Sequence, residues 1–254
     1  MFFRQFLNDE TSCASYLFGC STAGELAVVD AHVDLVDDYI AAAEAQRSRI
    51  MAVIETHIQA DHVSGLPRLV ERTGATAYLP EASGAEFEHR PLADGDLVEL
   101  GNTVIEAIAT PGHAPVHHSY LVTDHRRGDR PWLVLTGDSL LVGDVGRPDL
   151  HAAGDQSIDQ LARTLHRSLH ERLMTLPDHL LVYPGHYSSS VCGRGLSGHP
   201  ASSIGFERRH NQAIAADSED EFVETVLKDM PPAPERQAEI VAANRGGDPS
   251  GVLA

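Results

Sequence analysis

Residues 56–62 read Thr-His-Ile-Gln-Ala-Asp-His, a short stretch dense in groups that bind divalent metals. His57, Asp61 and His62 offer imidazole or carboxylate donors, whereas the Gln59 amide is a weak ligand. The apolar run Met51-Ala52-Val53-Ile54 just upstream reads as a short buried strand. His57 therefore falls where a strand ends, and a polar loop follows before a helix begins near Ser64. A loop of this kind can aim several side chains at one point.

The pattern recurs further along the chain. Thr110-Pro111-Gly112-His113 follows the strand-like Val104–Ile108, Leu135-Thr136-Gly137-Asp138 follows Trp132-Leu133-Val134, and Tyr183-Pro184-Gly185-His186 follows Leu180-Leu181-Val182. Each time an apolar run ends in a Gly-containing turn and the next residue is His or Asp. Turns at strand ends converge on one edge of a sheet, which makes a shared metal site the natural reading. Of His117 and His118, strand alternation turns one toward the cleft and the other away; each reads more readily as a hydrogen-bonded histidine than as a ligand.

The set His57-x-Gln59-x-Asp61-His62, Gly112-His113, Gly137-Asp138 and Gly185-His186 resembles the metallo-β-lactamase superfamily, whose usual signature has His where this chain has Gln59. Within it, the run Thr136–Asp149, containing Gly143-Asp-Val-Gly-Arg147, is similar to persulfide dioxygenases. Val191-Cys-Gly-Arg-Gly-Leu-Ser197 and Ser203-Ile-Gly-Phe-Glu-Arg-Arg209 resemble their rhodanese-fused bacterial members. The resemblance runs from about Gln5 to Asn211. It implies an α/β fold, an αββα four-layer sandwich of two mixed sheets with helices outside; periodicity alone gives only α/β.

The resemblance also sets the chemistry to expect. A dinuclear hydrolase of this superfamily would use both imidazoles of the first motif, and Gln59 removes one. His57, His113 and Asp138 remain: two imidazoles and one carboxylate, a facial set suited to non-haem Fe(II). The implied function is iron-dependent oxygenation of a low-molecular-weight thiol persulfide, such as glutathione persulfide, to sulfite and free thiol, with one Fe(II) per subunit. Asp61, His62 and His186, with Gln59, then support that centre or hold a second metal. Arg147 stands at the family's substrate-facing arginine position and would pair with a carboxylate of the thiol carrier; the competing reading ties it to Asp144 or Asp149. Tyr187 and Arg194, in the loop after His186, are further candidates for substrate contact, as Cys192 is for the pocket wall. The alternative is a Zn(II) hydrolase of thioesters of the glyoxalase II type, in which bound water attacks the ester. A third class, a binding or sensing protein that keeps the fold, is separated from the first by oxygen consumption.

Supporting elements can be placed in outline. Tyr16–Gly19 and Leu26–Asp30 read as a hairpin, Val36–Gln46 as an amphipathic helix, and Ile50–Glu55 as the strand before the metal loop. Helix Ser64–Arg72 and strands Ala75–Leu79, Leu97–Leu100 and Val104–Ile108 follow, with a turn at Gly101-Asn102. The second half offers strands Ser119–Thr123, Trp132–Leu135 and Leu180–Tyr183 and helices Ile158–Leu173 and Ser203–Asn211. A catalytic domain over 1–211 is expected, followed by an acidic helical extension over 212–254 with helices near Glu219–Asp229 and Pro234–Asn244. That extension carries nine acidic residues against Lys228, Arg236 and Arg245, so it contributes six of the chain's 18 net negative charges.

Composition bounds the partners. A formal charge of −18 over 254 residues argues against nucleic acid, whose phosphates need a basic surface. No apolar run approaches the length of a membrane span, and Met1–Glu10 lacks the order of a signal peptide, so no membrane partner and a cytoplasmic location are expected. Cys13, Cys20 and Cys192 form no Cys-x-x-Cys pair, and Cys13 and Cys20 read as small buried hydrophobes. The resemblance implies a small thiol persulfide and O2 as partners and leaves open a homo-oligomer. In fused relatives a rhodanese domain would begin near residue 212, so any sulfur donor is expected to be a separate rhodanese.

Overall fold

A computed structural model describes residues 1–150, 157–188, 196–228, 230, 232–234 and 236–253. Strands β1 (Phe2–Asn8), β2 (Cys13–Cys20), β3 (Glu25–Val29), β4 (Arg49–Ile54), β5 (Thr76–Pro80) and β6 (Arg90–Leu92) form one six-stranded sheet in that order. The second sheet runs β12 (Ser202–Ser203), β11 (Leu181–Pro184), β10 (Leu133–Gly137), β9 (His118–Asp124), β8 (Thr103–Ala109), β7 (Leu97–Leu100). Both sheets are mixed: β3, β4, β5 and β6 run parallel, as do β10 and β11, while the remaining pairs are antiparallel.

Period-two alternation decides which layer each strand residue joins. Along β3, Ala27 and Val29 face the second sheet and meet Ile105, Tyr120, Val122 and Leu135, while Leu26 and Val28 face the opposite way. On that outer face lie Tyr39, Ala42 and Ala43 of α1 (Val36–Ala45) and Leu69 of α2 (Leu66–Thr73). The outer face of the second sheet, with Leu121, Val134 and Val182, is covered by Leu165 of α3 (Ile158–Arg167), Ile204 of α4 (Ile204–His210) and Phe222 of α5 (Glu219–Leu227). Helix, sheet, sheet, helix is the expected αββα sandwich. The final helix, α6 (Gln237–Arg245), carries buried Ile240, Ala243 and Asn244.

Most expected elements are present to within a few residues. The helix expected over Ile158–Leu173 leaves α geometry after Arg167, passing through a π turn at Ser168–Arg172 and a 3-10 turn at Leu173–Thr175. Strands β1, β6 and β12 carry no clear sequence signal. Each is an outermost strand defined by its neighbour, and β6 even contains Pro91, which a sheet edge tolerates.

Candidate metal centre

The direction of the strands explains why the donors meet. β8 and β10 both run antiparallel to β9, and β11 runs parallel to β10, so the C-terminal ends of β8, β10 and β11 share one edge. His113, Asp138 and His186 lie just beyond those ends, and His57 lies just beyond β4 in the other sheet. His57, His113 and Asp138 are 2%, 1% and 1% exposed, with one donor atom of each within 4.8 Å of the others. The three expected metal ligands are thus brought together.

Each imidazole is oriented by an oxygen behind it. The His113 Nδ1–H donates to the Arg147 carbonyl at 2.8 Å, which leaves Nε2 facing Asp138 Oδ2 at 3.5 Å. Thr56 Oγ1 lies 3.0 Å from both Asp30 carboxylate oxygens and 2.9 Å from His57 Nδ1. The hydroxyl has one proton, which it gives to Asp30, so it accepts from His57 Nδ1–H and leaves His57 Nε2 as the lone-pair nitrogen. Burial lowers the His113 pKa, favouring the neutral, ligating ring. Burial alone would raise the Asp138 carboxyl, but the facing His186 ring, hydrogen-bonded to Oδ1, does most to hold it below the usual carboxylate range. Asp138 Oδ2 is a buried acceptor that receives no hydrogen bond. Two buried imidazoles and an anionic carboxylate with an oxygen to spare fit a divalent first-row metal, which would bind the neutral form of each ring.

A second cluster adjoins the first. Cys13, Asp61, His62 and His186 also bring donor atoms within 4.8 Å of one another. His186 spans the two clusters, with Nδ1 2.8 Å from Asp138 Oδ1 and Nε2 2.7 Å from Asp61 Oδ2. Cys13 Sγ lies 3.2 Å from His186 Nε2 and 3.5 Å from His62 Nδ1. Burial opposes ionisation of this thiol, but the facing His62 and His186 rings outweigh it and lower its pKa. Cys13 is buried as expected, yet it faces polar partners and not an apolar core, which corrects its reading as a small hydrophobe. No local pattern marks it; the bridge pairing Cys13 with His186 places it there.

Gln59 is buried with its amide nitrogen 3.3 Å from Asp30 Oδ1. It braces a carboxylate pair behind the loop, Asp30 and Glu55, both of which burial pushes above the usual carboxylate range, Glu55 further by the charge of Asp30. His117 lies beneath the centre: its Nε2 accepts from the Asp138 N–H at 3.2 Å and its Nδ1 meets Thr110 Oγ1 at 2.9 Å. His118 faces away, its ring toward Tyr120 and the Asp94 side, as alternation requires. Arg147 is 4% exposed and makes a bidentate pair with Asp149 at 2.7 Å, with Nη1 also donating to the Pro232 carbonyl at 3.3 Å. This is the bracing arrangement expected of a structural arginine. The Tyr187 hydroxyl donates to Asp9 at 2.6 Å, and burial with Asp9 pushes its pKa up to about 12. Arg194 and Cys192 lie outside the described residues.

A family model described as the metallo-beta-lactamase superfamily matches residues 8–186. The chain belongs to that superfamily. It is 28% identical to the mitochondrial persulfide dioxygenase ETHE1 of Bos taurus over 242 residues, covering 95% of this chain and 86% of that protein. The crystal structure of ETHE1 from Myxococcus xanthus superposes with a TM-score of 0.83 at 33% identity, covering 96% of this chain and 98% of that one. Similarity extends to a hydroxyacylglutathione hydrolase of Polaromonas sp., 30% identical over 68% of this chain and 61% of that protein. The chain is likewise 31% identical to a probable metallo-hydrolase of Burkholderia pseudomallei over 86% of this chain and 82% of that protein. It is therefore an enzyme of the metallo-β-lactamase fold, similar both to persulfide dioxygenases and to hydrolases. Among the described residues no helix is long and apolar enough to cross a membrane.

Proposed function

We propose that this superfamily member is a persulfide dioxygenase that holds one Fe(II) through His57, His113 and Asp138. It would convert a low-molecular-weight thiol persulfide and O2 to sulfite and free thiol. The observation that carries the reading is the triad itself: two buried imidazoles with fixed tautomers and a carboxylate oxygen with no hydrogen bond, while the Gln59 amide turns to Asp30. Iron bound there would supply redox chemistry and open coordination positions. Both oxygens of O2 added to the outer sulfur would give a sulfinate-like RS–SO2H, and one water would then cleave its S–S bond to release thiol and sulfite. The protein's part is to keep Asp138 ionised, to hold both rings neutral and aimed, and to bury the reacting atoms away from bulk water.

A second reading has an observation of its own. The Cys13, Asp61, His62 and His186 cluster offers donors for a second ion, which suits a zinc hydrolase acting on thioesters. The deciding experiment is metal analysis of protein produced in iron-supplemented medium, with oxygen uptake measured on glutathione persulfide. About one iron per chain and persulfide-dependent oxygen uptake are expected, and His113→Ala should remove both. Two zinc ions per chain with thioester hydrolysis and no oxygen uptake would favour the hydrolase and sink the dioxygenase.

A further inference from the structure

The loop over 57–64 lies between β4 and α2 and belongs to neither sheet nor helix, so its peptide groups must find partners elsewhere. Much of that need is met by one side chain remote in sequence. Asn244, in the last turn of α6 and 7% exposed, donates from Nδ2 to the Gln59 carbonyl at 3.0 Å and to the His62 carbonyl at 2.8 Å. Its Oδ1 accepts from the Ser64 N–H at 2.9 Å. Three bonds from one amide grip the loop after ligand His57 and on both sides of Asp61.

The anchor is itself well fixed. The Arg245 carbonyl accepts from the Glu86 N–H at 2.7 Å, and the Gly247 N–H returns to the Ala242 carbonyl at 3.0 Å, closing the end of α6. Next to Glu55, Gln59 and Asn244 there is room for about one water (≈ 10 Å³), whereas a larger cavity of ≈ 480 Å³ opens on the side lined by Val63, Ser64 and Asn244, so the three hydrogen bonds and not dense packing hold the junction. The asparagine amide suits this position: aspartate lacks the two donors, alanine lacks all three bonds, and a serine hydroxyl has a single proton for two carbonyls.

We propose that Asn244 is a positioning residue and that α6 is a clamp holding the metal loop in its ligating conformation. The acidic extension over 212–254 is then part of the metal centre's support. The proposal holds for iron and zinc alike and needs only that His57 ligate the ion.

The test uses the full chain with Asn244→Ala, Asn244→Ser and, as a control of similar cost in the same helix, Ile240→Ala. Affinities for Fe(II), measured anaerobically, and for Zn(II) come from chelator competition; amide exchange at Ser64 is followed in the metal-free protein. Both Asn244 variants should lose about 10- to 100-fold in affinity, the range seen when groups that orient ligands are removed, and should exchange faster at Ser64. Ile240→Ala should lower the unfolding midpoint yet keep affinity and exchange near wild type. Wild-type affinity and Ser64 exchange in the Asn244 variants, or equal losses in Ile240→Ala, would overturn the clamp. Because Ser64 exchange is read without metal, it judges the clamp even if the chain proves to be a zinc hydrolase.

Discussion

In the proposed centre, His57 and His113 would owe their role as ligands to the oxygens behind them. An imidazole has two tautomers, and the Asp30–Thr56–His57 chain and the Arg147 carbonyl each select the one that leaves Nε2 free for a metal. Replacing Thr56 with Val keeps the size and removes the relay. Thr56→Val should therefore weaken metal binding by about 10- to 100-fold in chelator competition, and an unchanged affinity would deny the relay any part in aiming His57. The Gln59→His variant tests whether Gln59 underlies the proposed single ion. With Asp61, His62, Asp138 and His186 already converging, a further imidazole should raise bound zinc toward two per chain and depress oxygen uptake; unchanged metal content and activity would remove Gln59 from the argument. The convergence of His57, His113 and Asp138 was legible because each is a residue of a metal-binding type just past an apolar run. Cys13 and Asn244 were not, since what they touch is set by contacts 173 and 182 residues away.

At the scale of elements, the loop that follows β10 does most of the positioning. It leaves Asp138, turns at Leu140–Val145, and returns beneath the centre so that the Arg147 carbonyl reaches His113. The return is possible only because residue 146 is glycine: a Cβ there would overlap the Asp138 carbonyl and come within 2.9 Å of His113 Nδ1. Gly146→Ala should therefore strip the metal, with loss of bound iron or zinc by elemental analysis; full occupancy would show that the loop can move aside. The same loop is tied down by the Arg147–Asp149 pair and by the Arg147 bond to Pro232. Removing one partner of a buried pair costs about 3–5 kcal/mol, so Arg147→Ala should lower the denaturation midpoint markedly. If stability is untouched and only KM for a carboxylate-bearing persulfide rises, the arginine faces substrate instead. The regular strands and helices were legible because burial imposes a period of two or of about 3.6 on their side chains. β1, β6 and β12 escaped notice because their burial follows no such period and they are defined by their pairing, whereas the equally outermost β7 alternates and was legible.

For the molecule as a whole, the centre is where the two sheets are joined at one edge. His57 and Cys13 come from the first sheet, and His113, Asp138 and His186 from the second, while the inter-sheet core around Phe18, Ile54, Ile105 and Tyr120 holds the layers together. That the chain makes a layered α/β domain was legible from alternating apolar runs. The face-to-face arrangement was legible only through the motif resemblance, since no single strand encodes its partner. A metal held by donors from both sheets binds the folded chain and not the unfolded one, so it must stabilise the whole sandwich. At a free metal concentration 100 times Kd the gain is about 2.7 kcal/mol, which for a domain of this size raises Tm by roughly 5–11 °C. Chelation should reverse that shift in a thermal melt, and amide exchange should quicken at the ends of both β4 and β10 when the metal is withdrawn. Exchange that changes in one sheet only would mean that the ion is held by that sheet's donors alone, and the triad of His57 with His113 and Asp138 could not then be the metal centre.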